Sequence, residues 1–161
     1  EVNLIDIMAR TGWTTNNLLR AIDNAEIKDY NLVSLLIGVN NQYQDRPFSS
    51  FELELDELLK KSIDFAGDST RVFVVSIPDY GVTPFGESNK EKIKQERDKY
   101  NAYISDQCDA RNIAFINITE ISRELGAAEG ALAADNLHPS GDQYKKWVDE
   151  ILPVVIDILN K

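Results

Sequence analysis

The sequence contains a single histidine, His138, and it stands three residues after a carboxylate in Asp135-Asn136-Leu137-His138-Pro139-Ser140. Hydrolysis near neutral pH needs an imidazole to shuttle a proton and a carboxylate to fix its tautomer and stabilise the imidazolium. The general base therefore has one candidate, His138, with Asp135 as its orienting acid. Two further stretches suit the same chemistry. Arg10-Thr11-Gly12-Trp13-Thr14-Thr15 is a glycine turn that runs into a helical pattern, and free backbone donors there suit an anion or a developing oxyanion. Gly38-Val39-Asn40-Asn41-Gln42-Tyr43-Gln44 follows a run of aliphatic residues and supplies neutral amide donors. Acyl transfer needs donors of that neutral, rigidly held type, and removing one costs about 10²–10³ in rate.

Elements that would hold these residues follow from the hydrophobic pattern. Leu4 to Ala9, Leu32 to Ile37, Arg71 to Ile77 and Ile113 to Ile118 are short runs rich in Ile, Val, Leu and Phe, which read as buried strands of a parallel sheet. Helical spacing lies between them: Thr15 to Glu26 with Leu18, Leu19 and Ile22 on one face, Phe51 to Ala66 with Leu55, Leu58, Leu59 and Ile63, and Glu87 to Ala110 with Ile93, Tyr100 and Ile104. Ser49 with Glu52 reads as a capping box and Gly67 as a left-handed stop. Ser140 with Gln143 opens a last helix whose apolar face is Tyr144, Trp147, Val148, Ile151 and Leu152, with a kink expected at Pro153. Alternating strands and helices predict an α/β fold, and open α/β sheets bind ligands at the carboxyl ends of their strands.

Taken in chain order, a glycine turn after one strand, Gly-x-Asn after the next and Asp-x-x-His before the last helix resemble the SGNH (GDSL-like) hydrolase family over essentially all 161 residues. Ser76 to Gly86 and Asp135 to Tyr144 resemble its bacterial esterase branch. The resemblance implies a flavodoxin-like three-layer α/β/α domain with a parallel sheet. It also implies that the Gly12 N–H and the Asn40 side chain are oxyanion donors and that Asp135 and His138 are the acid and base of a triad. Asn41 stands where the family usually has Asp.

That family carries its nucleophile in a Gly-Asp-Ser motif after its first strand, upstream of the glycine turn, whereas this chain starts at the strand that comes second. On this reading residues 1–161 are a single domain, N-terminally incomplete, without the central first strand, and an upstream segment supplies the serine. Gly67-Asp68-Ser69 has the motif's residues but follows a helix and precedes the strand Arg71 to Ile77. It therefore reads as a helix stop and a turn at the wrong end of the sheet.

The implied activity is serine esterase action through an acyl-enzyme on a small-molecule ester, a lipid or an acylated sugar. Tyr80 and Phe85 in the loop Asp79 to Gly86 are expected to border the substrate pocket, with Asn41 and with Tyr43 from the opposite side. A non-catalytic ligand-binding module on the same fold is the alternative. Each residue also fits a plainer role: His138 near a helix cap, Asn40 to Gln42 in a turn, Gly12 in a tight bend. Their order along the chain selects the catalytic one.

Composition narrows the classes further. At 161 residues and 43% hydrophobic the chain can bury the core of one domain. A formal charge of −10, from 17 Lys and Arg against 27 Asp and Glu, argues against a nucleic-acid partner. No apolar run approaches the ~20 residues needed to span a bilayer. A lone cysteine, Cys108, gives no internal disulfide or thiolate cluster, and with one histidine no metal site or cofactor is expected. Tyr100, Tyr103 and Trp147 read as core. The acids of Glu87 to Asp109, interleaved with Lys90, Lys92, Lys94, Arg97 and Lys99, read as a solvated face.

Overall fold

Val72-Phe73-Val74-Val75 is β-branched and aromatic throughout, which suits a strand covered on both faces, and all four residues are buried. The computed structural model, which describes residues 3–4, 6–26 and 28–160, builds the sheet around this run. Apart from three single-turn 3-10 segments, the elements are α1 (Thr15–Asp23), β1 (Val33–Leu35), α2 (Val39–Tyr43), α3 (Phe48–Ala66), β2 (Val72–Val75), α4 (Lys90–Asp109), β3 (Ala114–Ile116), α5 (Thr119–Leu125) and α6 (Gly141–Leu159). The strands are parallel in the order β1-β2-β3, with Val33 opposite Val72 and Phe73 opposite Ala114.

Side-chain alternation along β2 sorts the helices into two layers. Val72 and Val74 join Leu35 in a cluster with Leu18 and Leu19 of α1, Phe51, Leu55, Leu58 and Leu59 of α3, and Tyr100, Ile104 and Cys108 of α4. On the opposite face Phe73, Val75 and Ile116 pack with Trp147, Val155 and Ile158 of α6. The result is the α/β/α sandwich that the family resemblance implies, on the α/β alternation that the sequence pattern predicts. Burial pushes the Cys108 thiol up to about 12, as fits a packing residue.

Several expectations need correction. Among the described residues, Leu4 and Asp6 to Ala9 form no strand, and Leu4 and Ile7 are 77% and 74% exposed; Ile5 lies outside the described residues. A strand is a paired object, and without a hydrogen-bonded neighbour an apolar run has no reason to hold that shape in water. The predicted capping box at Ser49 is absent because the cap lies two residues earlier, at Pro47, and α3 already starts at Phe48. Gly67 does end α3 in the left-handed region, at φ 72°. α1 stops at Asp23, and α6 passes through Pro153 without interruption. Asp68 caps the turn Ser69–Arg71 by accepting from the Thr70 N–H, at the amino end of β2 and so across the sheet from any ligand crevice.

Candidate active site

The glycine turn is built as its sequence asks. Trp13 N–H donates to the Arg10 carbonyl at 3.2 Å, and the third residue of that turn, Gly12, sits at φ 82°, where an L side chain is disfavoured. Among the described residues the Gly12 N–H has no acceptor, while its carbonyl accepts from Gln44 Nε2 at 3.0 Å. Immediately after it, Thr14 and Asn17 form a reciprocal capping box that fixes the start of α1.

The amide cluster after β1 folds into the short helix α2, entered through Gly38. Asn40 Nδ2 donates to the Trp13 carbonyl at 3.0 Å, so the second loop is fastened to the first. A primary amide has two N–H groups, and among the described residues the other has no acceptor. Asn41 has a different role from the one expected. It is 1% exposed, accepts from Thr15 N–H at 2.9 Å and donates to Thr15 Oγ at 2.6 Å, and the Thr15 hydroxyl bonds Glu54 in turn. With both amide atoms engaged below the surface, Asn41 does not line a pocket; it anchors α2 to α1.

Gly38 makes the sharp entry possible. Its φ is 119°, and a Cβ there would lie 2.8 Å from both Ile77 Cδ1 and a Phe51 ring carbon. Gly38→Ala combines backbone strain with overpacking and is expected to destabilise the fold by about 3 kcal/mol or more, read as a fall in the urea midpoint.

His138 sits on a small hairpin. Leu132 pairs with Pro139, Ala133 N–H donates to the His138 carbonyl at 2.8 Å, and Asn136 turns the chain in the left-handed region at φ 57°. Asp135 Oδ1 accepts from the Leu137 and His138 N–H groups at 3.0 and 2.9 Å, and Oδ2 lies 2.5 Å from His138 Nδ1. These bonds, the His138 side chain first, hold the Asp135 carboxyl down at about 2. A proton on Nδ1 satisfies the carboxylate and leaves Nε2 as an acceptor, and among the described residues nothing bonds Nε2. Ser140 then caps α6 by accepting from Gln143 N–H at 3.2 Å. Tyr144, in the first turn of α6, lines a groove with Leu36 just past the carboxyl end of β1, while the helix also touches Ser69–Arg71 at the amino end of β2.

The structure fastens the Asn40 helix to the Gly12 turn through the Trp13 and Gly12 carbonyls and joins Asp135 to His138; among the described residues no hydrogen bond links these two groups. It also gathers three expected pocket residues on one side. Ring centroids of Tyr43 and Tyr80 are 6.1 Å apart, Tyr43 and Phe85 5.8 Å, and Tyr80 and Phe85 6.4 Å. Tyr43 therefore joins the Tyr80 and Phe85 cluster instead of facing it, and it follows Asn40 by three residues on α2, which places both on one helix face. Tyr43 and Phe85 are exposed. Asp79 holds the intervening loop: it accepts from Gly81 N–H at 2.9 Å and pairs with Arg123 Nε at 2.8 Å.

Arg97 is the residue that sequence reasoning missed. Grouped above with surface charges, it is fully buried. The signal was spacing: Ile93, Arg97, Tyr100, Ile104 and Cys108 recur at helical intervals and all are buried.

The GDSL-like lipase/acylhydrolase family model matches residues 1–146. No curated protein matches the chain. Among solved structures, an acetyl xylan esterase from Geobacillus stearothermophilus is similar at a TM-score of 0.68 and 18% identity, over 89% of this chain and 68% of its own. A GDSL-like lipase from Bacteroides thetaiotaomicron is similar at 0.68 and 17%, over 91% of this chain and 72% of its own. The OSK domain of Drosophila Oskar is similar at 0.64 and 10%, over 89% and 71%. Likeness at these identities establishes the shared α/β fold; a fold alone does not carry an activity.

Proposed function

The chain belongs to the GDSL-like lipase/acylhydrolase family, and from that premise we propose that it hydrolyses carboxylic esters through an acyl-enzyme whose serine comes from a segment outside residues 1–161. The observation that carries this reading is His138, bonded through Nδ1 to Asp135, with no partner on Nε2 among the described residues. His138 Nε2 takes the proton of the serine hydroxyl as its oxygen attacks the ester carbonyl carbon. The oxyanion is met by the Gly12 N–H and the second Asn40 N–H. Collapse breaks the ester C–O bond, the alcohol leaves with the proton from His138, and water repeats the sequence to free the acid. Tyr43, Tyr80 and Phe85 border the acyl or alcohol group of a small-molecule ester, a lipid or an acylated sugar.

Two surface features support an added serine-bearing segment. β1 ends the sheet with an unpaired edge among the described residues, and parallel sheets are ordinarily covered. Beside it Tyr144, Val148, Leu152 and Ile156 form an i, i+4 stripe along α6, 50 to 52% exposed, and its first two residues border a groove of about 250 Å³ with Leu36. A strand added to β1 and a helix laid on that stripe would cover both.

The test uses the full-length polypeptide with p-nitrophenyl acetate and butyrate and a fluorophosphonate probe. Hydrolysis is expected, with the probe on one serine outside residues 1–161. Label on Ser69, or turnover without labelling, overturns the reading.

A further inference from the structure

We propose that Arg97 is a positioning residue for the ester-hydrolysing site: from the buried face of α4 it holds α2 and thereby aims the Asn40 amide. The inference rests on the reading of Asn40 as an oxyanion donor. Arg97 Nη2 donates to the Val39 carbonyl at 3.1 Å, the residue immediately before Asn40, and to Gln42 Oε1 at 2.6 Å, two residues after it. Gln42 is itself fixed from two other directions. Its Oε1 also accepts from the Tyr80 hydroxyl at 2.8 Å, and its Nε2 donates to Glu96. The guanidinium lies 5.1 Å from the Tyr80 ring centroid. One cation therefore ties the oxyanion helix to the aromatic cluster beside it.

The arrangement is costly for stability alone. Arg97 is fully buried, forms no ion pair among the described residues, and leaves Nε and Nη1 without a partner. Burial of an unpaired charge is unfavourable, and leucine or methionine would satisfy the helical spacing of that position. What the guanidinium supplies is a charge-assisted bond in a low-dielectric surrounding, which is short and stiff. α2 has only five residues and no side-chain cap at its entrance, so it cannot fix its own orientation. Burial draws the Arg97 pKa down to about 10, which leaves the group charged at neutral pH.

Arg97→Lys in the full-length protein tests this, since it keeps the charge but replaces a planar fork with a point donor. It is expected to lower kcat by about 10-fold with KM within about twofold, because a small misplacement of a transition-state donor acts on the chemical step. In an Asn40→Ala background the same change should lower kcat by less than about threefold, since the donor it aims is gone. The Asn40 side-chain amide resonances, identified by their loss in Asn40→Ala, should move in Arg97→Lys. Gln42→Leu, which severs the contact from the other end, should reproduce these effects and gives the result if Arg97→Lys does not fold.

Unchanged kcat, or an equal loss with and without Asn40, overturns the inference. If no ester is hydrolysed by any version but the Asn40 resonances move, the esterase reading fails and the positioning role stands. If the enzyme is active and those resonances stay in place, the positioning role fails alone.

Discussion

Removal of the imidazole in His138→Ala is expected to lower kcat for p-nitrophenyl butyrate by about 10⁴-fold or more, the scale seen when the base of a serine triad is deleted. At about 1.4 kcal/mol per factor of ten, this asks His138 for upwards of 5 kcal/mol of transition-state stabilisation. Residues 1–161 hold no other histidine to substitute for it. Folding should be nearly unaffected, since the bonds that shape the hairpin run from backbone N–H groups to Asp135 Oδ1 and survive the change. Steady-state rates beside a thermal melt separate the two effects, and turnover within 10-fold of the parent would remove His138 from the mechanism. Asp135 sets a constraint on pH. Its folded-state pKa lies near 2, below the ordinary carboxylate value, so its favourable bonds are complete above about pH 4 and fail only as pH falls toward 2. A loss of activity between pH 7 and 4 therefore has another origin than Asp135.

Asn40→Ala should lower kcat by about 10²–10³ with little change in KM, because the lost N–H serves an oxygen that is negative only in the transition state. The variant also loses the bond to the Trp13 carbonyl. That loss is worth about 1 kcal/mol, so a modest drop in stability should accompany the kinetic effect without explaining it. A fall in kcat/KM carried by KM alone would instead make Asn40 a ground-state binder. The remaining N–H of Gly12 belongs to the backbone and stays in place through the substitution, which sets the floor to which the rate can fall.

Apolar periodicity reveals the α/β alternation because the core elements are long or strongly apolar: β2, α3 and the buried face of α6 each follow a single period. It overreaches at Leu4 to Ala9, whose described residues form no strand: the composition is that of a strand, but the state depends on a neighbour that composition cannot show. It gives no sign of α2, since five residues barely exceed one turn and leave periodicity nothing to repeat. At the site, Asp135 and His138 were legible because their contact is local, three residues apart. Gly12 and Asn40 were legible as types, yet their mutual latch through Trp13 spans 27 residues and appears only in three dimensions. Asn41 and Arg97 show the opposite failure. Both were judged by their polarity and taken as pocket or surface residues, whereas the fold buries them and uses their donors as internal braces.

The stripe along α6 bears on how residues 1–161 behave on their own. Two copies of such a face attract one another through apolar contact, while a formal charge of −10 on each keeps them apart. Added electrolyte shortens the reach of that repulsion to about 8 Å at physiological strength and leaves the attraction intact. Colloidal behaviour of the isolated polypeptide is thus governed by salt, and dilute, low-salt buffer is the medium that keeps it dispersed.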